Sequence, residues 1–311
     1  MRVAKRPCSA GPLLASETLI LRAPAATGAV VPAPAPTPAP AVFEELTGLK
    51  KAAAAAKSSV GPARWARLVD AGGPPPNGAA VASRAFFKLR EIALSCALPR
   101  PAESVHLCEA PGGFVQATAE FAAAEWRWWA LSQGTEGAPR FRSDLLPPHG
   151  TYVEGDVADA ACTAALPCGT ADLVTADGAN PMDHDRLEEL HHSLLLAQTL
   201  AGIACLRPGG HMVIKFFEGG THATLQWLAW LTLQFQLVSI IKPTASRPTN
   251  SERYAVCRIL LETRCHTPLP DALVLAPCWE EHTYGLLGEY AQRQCRHLRT
   301  VVTQCGTLGV K

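Results

Sequence analysis

The stretch Val-His-Leu-Cys-Glu-Ala-Pro-Gly-Gly-Phe at 105–114 constrains this chain more than any other. An apolar run over 104–108 reads as a buried strand, it breaks at Ala110-Pro111-Gly112-Gly113, and a helix is predicted from Phe114 over 114–124. Pro111 fixes one φ, and the glycines permit conformations and close approaches that a Cβ would block. The turn therefore exposes bare backbone to a ligand. The free N–H groups and positive dipole end of the helix face the same space and favour carboxylate or hydroxyl acceptors. An isolated Pro-Gly-Gly is as a rule a plain strand-to-helix connection. Three later charges change the reading. Asp177 closes an apolar run over 172–176, Lys215 lies near the end of another over 211–216, and Glu252 opens a third over 253–261. Ligands of open α/β sheets collect outside the carboxyl ends of the parallel strands, so these three charges point to one site.

Around that turn, strands alternate with helices. Helices are expected over 42–57 and over 83–96, the latter with Ser83 as N-cap and Phe86, Phe87, Leu89, Ile92 and Ala93 as its apolar face. After the turn come strands over 127–131 and 151–153, then Gly155-Asp156-Val157, the 172–176 strand and a long helix over 185–206. Pro208-Gly209-Gly210 introduces the next strand, and an amphipathic helix follows over 221–235. The last two strands, 236–241 and 253–261, have only a polar loop between them and should pair antiparallel. A reversed strand begins at the sheet edge where parallel ones end, which brings Glu252 to the others. The expectation is an α/β, doubly wound, Rossmann-like fold, with a mostly parallel sheet carrying one antiparallel strand. The domain should run over 42–265, after a flexible Pro/Ala-rich extension over 1–41 and before a helical C-terminal tail over 266–311.

Composition excludes some classes. A net charge of +1 carries no strong electrostatic signature, so any nucleic-acid contact must come from local patches. Arg293, Arg296, His297 and Arg299 form one such cluster, equally readable as a solvated helix face. The 11 cysteines are odd in number and irregularly spaced, as in reduced thiols of an intracellular protein. Cys162 and Cys168 lack the partners of a zinc site, and no metal is expected. No apolar segment is long and clean enough to span a membrane. Arg2, Lys5, Arg6 and Arg22 in an acid-poor setting suit either an organelle transit peptide or a disordered tail. The location expected is nuclear or cytoplasmic, with an organelle as the alternative.

Two ligand fingerprints fail. A nicotinamide site needs Gly-x-Gly-x-x-Gly with an acidic residue about 20 positions on, and a P-loop needs its own Gly-Lys-Ser/Thr ending. Instead, the turn, Leu-Val-Thr-Ala-Asp-Gly at 173–178, Gly-Gly-His-Met-Val-Ile-Lys at 209–215 and Lys-Pro-Thr-Ala-Ser-Arg-Pro-Thr-Asn-Ser-Glu-Arg-Tyr-Ala-Val-Cys at 242–257 together resemble the FtsJ-type RNA 2′-O-ribose methyltransferases. The wording is most similar to the mRNA cap branch, its cap-2 type above all, and coverage runs over 83–261. The family uses a Lys-Asp-Lys-Glu tetrad. Ser-Arg-Ala-Phe-Phe-Lys at 83–88 matches its first motif, so the resemblance implies Lys88, Asp177, Lys215 and Glu252 as the catalytic set. It also implies S-adenosylmethionine held at Cys108, Ala110, Pro111, Gly112, Gly113, Phe114, Asp156 and Asp177, with the methionine part near Gly112 and Gly113 and adenine near Asp156. His106 stands where many members carry Asp, and Ser132-Gln133 where related enzymes place an acidic ribose ligand.

The chemistry accounts for such a tetrad. Methyl transfer from a sulfonium to a ribose hydroxyl is an in-line displacement that gains much of its rate from alignment. The hydroxyl must also lose a proton. Two neighbouring, partly desolvated lysines lower each other's pKa while two carboxylates raise it, giving a coupled cluster. Lys215 is expected as base or hydroxyl-orienting group, positioned by Lys88, Asp177 and Glu252. The implied substrate is the first transcribed nucleotides of capped mRNA. The alternatives are ribosomal RNA, in an organelle or elsewhere, and a relative that binds RNA without turnover. Trp65, Trp126, Trp128 and Trp129 suit cap stacking only in residue type, and the last three adjoin a strand, where core packing is the favoured expectation.

Overall fold

The computed structural model describes residues 17–21, 41–60, 80–134, 139–179, 187–262, 275 and 277–308. Eight strands form one sheet: β1 (Glu17–Leu21), β2 (Glu103–Leu107), β3 (Arg127–Ser132), β4 (Gly150–Glu154), β5 (Ala171–Ala176), β6 (Leu206–Phe217), β7 (Phe235–Lys242) and β8 (Glu252–Leu260). Their order is β1-β7-β8-β6-β5-β2-β3-β4. The neighbours from β4 through β6 pair in parallel, and β8 runs antiparallel between β6 and β7 as its loop connection required. The helices are α1 (Ala41–Val60), α2 (Ala85–Cys96), α3 (Gly113–Ala119), α4 (Ala160–Thr163), α5 (Leu187–Cys205), α6 (His222–Gln234) and α7 (Pro277–Leu308). No described helix is long and apolar enough to cross a membrane.

Strand alternation separates two cores. Leu173, Val213, Tyr254 and Val256 point to a face covered by Phe86, Leu89 and Ile92 of α2 and Phe114 of α3. Their neighbours Val174, Met212, Ile214, Phe216 and Ala255 point to the other face, packed with residues of α1, α5, α6 and α7. Period two then places Asp177, Lys215 and Glu252 on the α2 face, since each is an even number of residues from Leu173, Val213 or Tyr254.

Several expectations are revised. The stretch read as an extension contributes β1, whose Leu21 is buried and whose backbone pairs antiparallel with β7, giving the sheet a second reversed strand. An apolar Thr-Leu-Ile-Leu run covers a sheet edge that would otherwise lie open. The Pro32–Pro40 tract, the basic residues Arg2, Lys5, Arg6 and Arg22, and Trp65 lie outside the described residues. The helix expected over 221–235 is α6, capped by Thr221, whose hydroxyl accepts from the Thr224 N–H. It is buried on nearly every side rather than amphipathic, because residues of α1 and α7 join it in one core cluster. The Pro208-Gly209-Gly210 turn lies inside β6, where the pairing with β5 shifts register between Ala171 and Leu173. Ser83 is not the N-cap of α2. That place is taken by Arg84 in a helical conformation, although the Ser83 hydroxyl still accepts from the Ala85 N–H at 3.2 Å.

Candidate active site

Four side chains from four elements meet on the α2 face. Lys88 leaves α2 one position from the buried Leu89, and its Nζ lies 2.8 and 2.9 Å from the two carboxylate oxygens of Glu252, at the start of β8. Lys215, on β6, donates to the Asp177 carbonyl at 2.5 Å and lies 3.0 Å from Asp177 Oδ1. The structure thus brings together all four tetrad positions expected from the sequence, as two ion pairs. Both Lys215 and Glu252 are buried.

Three further residues fasten these pairs. Tyr254 lies two positions beyond Glu252 and so shares its face; its hydroxyl donates to Asp177 Oδ1 at 2.8 Å. Ser246 Oγ donates to Glu252 Oε1 at 2.5 Å, and Lys242 Nζ donates to the Glu252 carbonyl at 3.1 Å. Glu91, one turn beyond Lys88, is buried and accepts from the Thr244 and Ala245 N–H groups and the Thr244 hydroxyl, anchoring the β7–β8 loop to α2. Period two along β8 puts Tyr254 on the face of Glu252, but inside an apolar strand it reads as core. Nothing periodic marks the loop residues.

The electrostatics follow from these contacts. Burial opposes the ammonium of Lys88, but the carboxylates of Glu252 and Asp177 hold its pKa above the ordinary value. Burial likewise opposes the Glu252 carboxylate, yet Lys88, Lys215 and the Lys88 and Ser246 hydrogen bonds hold its pKa below the usual range. Burial and the two carboxylates push the Tyr254 phenol well above its ordinary value, so it stays a donor. At Lys88 the carboxylates therefore outweigh burial and the nearby Arg84 charge.

Next to Asp177 opens a cavity of about 280 Å³ at the carboxyl ends of the parallel strands, lined by Cys108, Ala110, Ser132, Gln133, Asp156 and Asp177 among others. Gln133 Nε2 donates to Asp156 Oδ2 at 2.6 Å, and the Ala110 N–H to Ser132 Oγ at 3.0 Å. Burial pushes the Cys108 thiol up to about 12, so it lines the cavity as an uncharged group. Of the cofactor positions implied by the sequence, Cys108, Ala110, Asp156 and Asp177 reach this wall. Pro111, Gly112, Gly113 and Phe114 are not among its lining residues.

The glycine turn is closely packed against neighbouring side chains. Gly112 has φ +115°, and a Cβ there would meet the Leu146 side chain; one on Gly113 would meet Ser83, Ala85 and the Phe86 N–H. Bare backbone here seats α2 against α3. Phe114 is fully buried against Tyr254, with ring centroids 6.0 Å apart. The first N–H groups of α3 are also engaged: Phe114 and Val115 donate to Glu109 Oε1 at 2.7 and 2.9 Å. His106 points away from the cavity, buried between the hydroxyls of Ser104 and Thr175 at 2.8 and 2.7 Å, and burial lowers its pKa to about 3. An imidazole in place of Asp is thus a neutral core group. Trp126 and Trp128 are buried in an aromatic cluster with Phe141, and Trp129 is partly buried against the main core.

Residues 81–260 match the sequence profile described as FtsJ-like methyltransferase. The chain belongs to the FtsJ-like methyltransferase family. That match covers α2 through β8 and therefore all four tetrad residues. Among curated proteins, the cap-specific mRNA (nucleoside-2′-O-)-methyltransferase of Autographa californica nuclear polyhedrosis virus is 37% identical over 123 residues, 38% of this chain and 47% of its own length. The Danio rerio cap-specific mRNA (nucleoside-2′-O-)-methyltransferase 1 is 32% identical over 176 residues, 49% of this chain and 21% of its own length. The Mus musculus cap-specific mRNA (nucleoside-2′-O-)-methyltransferase 2 is 29% identical over 231 residues, 63% of this chain and 30% of its own length. This FtsJ-like chain spans about half or less of these relatives. In it α1 and α7 pack together outside the matched residues.

Proposed function

We propose that this FtsJ-like methyltransferase transfers a methyl group from S-adenosylmethionine to a ribose 2′-hydroxyl of RNA, at the first transcribed nucleotides of capped mRNA. The observation that carries the reading is the pair of interlocked ion pairs, Lys88–Glu252 and Lys215–Asp177, standing beside a strand-end cavity. The names of the relatives support the choice of capped mRNA.

The cavity suits the cofactor. Asp156 and Gln133 give hydrogen-bonding groups on its wall, Asp177 gives an anion for a sulfonium or ammonium, and the uncharged Cys108 thiol offers no competing nucleophile. When bound, S-adenosylmethionine supplies an electrophilic methyl on a sulfonium. The remaining work falls to the chain's own residues. Lys88, held charged by Glu252, fixes the electrostatics on one side of the reacting hydroxyl. Lys215 Nζ, fixed by two Asp177 oxygens, would orient that hydroxyl and, as the free amine, would take the proton that the hydroxyl loses on methylation. Tyr254 keeps Asp177 in place by donating to the same carboxylate. A relative that binds RNA without turnover is disfavoured by the intact tetrad.

The test supplies labelled cofactor with three RNAs: capped, identical but uncapped, and ribosomal. Label in the capped RNA alone is expected. Label in ribosomal RNA, with none in the capped RNA, would replace the substrate while keeping the chemistry. No label in any, together with no calorimetric response to millimolar cofactor, would favour the binding protein.

A further inference from the structure

A second cleft opens beside Ser246 and Lys242, which hold Glu252. It measures about 280 Å³, and its walls include Lys242, Thr244 and Ser246 from the end of β7 and the loop beyond, and Tyr290, Arg293 and His297 from α7. We propose that this cleft binds a backbone phosphate of the RNA, next to the ribose being methylated. The proposal rests on the ribose-methylation reading above. It goes beyond the family match, because α7 lies outside residues 81–260.

Charge identifies the ligand as an anion. None of the described residues lining the cleft is acidic. Two nearby carboxylates are engaged elsewhere, Glu91 by the Thr244 hydroxyl and backbone and Glu252 by Lys88 and Ser246, while Glu289 is off the wall and meets Arg293 only at 3.9 Å in a half-exposed pair. Lys242 Nζ donates to the Asn250 carbonyl, Asn250 Oδ1 and the Glu252 carbonyl, none of which is a carboxylate. Burial pushes its ammonium down to about 7, Glu252 opposing; a phosphate in the cleft would supply the countercharge.

Shape argues for phosphate over base. Of the two rings that the described residues place on the wall, Tyr290 is taken by the Arg253 guanidinium 5.1 Å from its centroid, and its hydroxyl donates to the Ile240 carbonyl at 3.4 Å, which leaves the small His297 imidazole and no pair of rings to sandwich a base. Location argues for the substrate chain. Ser246 both lines the cleft and bonds the carboxylate that holds Lys88, so cleft and tetrad are one side chain apart. The basic cluster seen in the sequence is thereby divided. Arg293 and His297 turn to the cleft, Arg299 pairs with Glu45 of α1, and Arg296 is exposed and off the wall.

Equilibrium binding of a short single-stranded capped RNA, measured across salt concentrations, tests the assignment beside methyl-transfer kinetics on the same RNA. Combined Arg293→Ala and His297→Ala should weaken binding about tenfold and flatten the salt dependence by about 0.7 in log–log slope for each phosphate that is no longer neutralised. KM for RNA should rise in parallel, with kcat and cofactor affinity unchanged. Arg296→Ala, removing the same charge from the same helix, should change none of these. Inorganic phosphate at constant ionic strength should compete with RNA on the parent chain and not on the double variant. Unchanged affinity and slope in the double variant would overturn the site, as would an equal loss in Arg296→Ala. Phosphate competition with unaltered RNA affinity would make it a free-phosphate site instead, which also overturns the proposal. If the parent transfers no methyl group but the binding losses appear, the ribose-methylation reading fails and the cleft stands as an RNA site.

Discussion

Lys215 and Asp177 touch, but they face different groups. Asp177 borders the cofactor cavity and holds both Lys215 and Tyr254, whereas Lys215 reaches the hydroxyl side and does not line that cavity. Lys215→Ala should therefore abolish methyl transfer and leave cofactor affinity within a few fold. Asp177→Ala should damage both, since it also strands a buried phenol. Calorimetric cofactor titration beside turnover checks this; equal losses of affinity in the two variants would mean that Lys215 has been given the wrong role. Asp177, Lys215 and Glu252 were legible as charges at the ends of apolar runs, because strand ends share one sheet edge. Tyr254 has no such mark: inside an apolar strand it reads as core, and only its hydroxyl at 2.8 Å from Asp177 reveals the second role. Lys242, Ser246 and Glu91 act through a loop, where residue spacing carries no geometry.

At the scale of the elements, the glycine turn governs how α2 meets α3. Gly113→Ala would drive a Cβ into the Ala85 side chain and the Phe86 N–H, each 3.0 Å away, and so push on the helix that carries Lys88. Overpacking of this kind costs about 1–3 kcal/mol. The expected result is a lower unfolding midpoint together with reduced turnover; parent-like behaviour in both would show that α2 accommodates the methyl group freely. Glu109 holds the start of α3. Burial pushes its carboxyl from 4.5 up to about 8, with the Val115 and Phe114 N–H bonds opposing. A carboxyl whose pKa rises on folding contributes stability that is present below about 4.5 and lost as pH climbs through about 8. Both N–H bonds end on Oε1, which a glutamine amide keeps. Glu109→Gln should therefore gain on the parent as pH rises from 4.5 to 8, at no more than about 1.4 kcal/mol per pH unit. Urea midpoints against pH read this directly; parallel curves for the two chains would contradict it. The strand-turn-helix was readable from sequence because apolar periodicity and Pro-Gly-Gly agree. What the glycines face was not, since Leu146, Ser83 and Phe86 reach the turn only through tertiary packing.

For the whole molecule, the mostly parallel sheet and the reversal of β8 followed from the alternation of elements and a missing crossover helix. The additions did not. β1 is five residues in a Pro- and Ala-rich stretch, and the role of α7 shows in tertiary contacts, as where Tyr290 meets Arg253 and His222 lies 2.8 Å from Glu280. The central claim is that one tetrad, gathered from α2, β6, β8 and the residue after β5, methylates ribose. Nuclease digestion of RNA treated with the chain and labelled cofactor, followed by nucleoside analysis, addresses it most directly. The account predicts label in 2′-O-methylnucleosides with the parent chain and none with Lys215→Ala. Label in base-methylated nucleosides, or 2′-O-methylation surviving in Lys215→Ala, would contradict it.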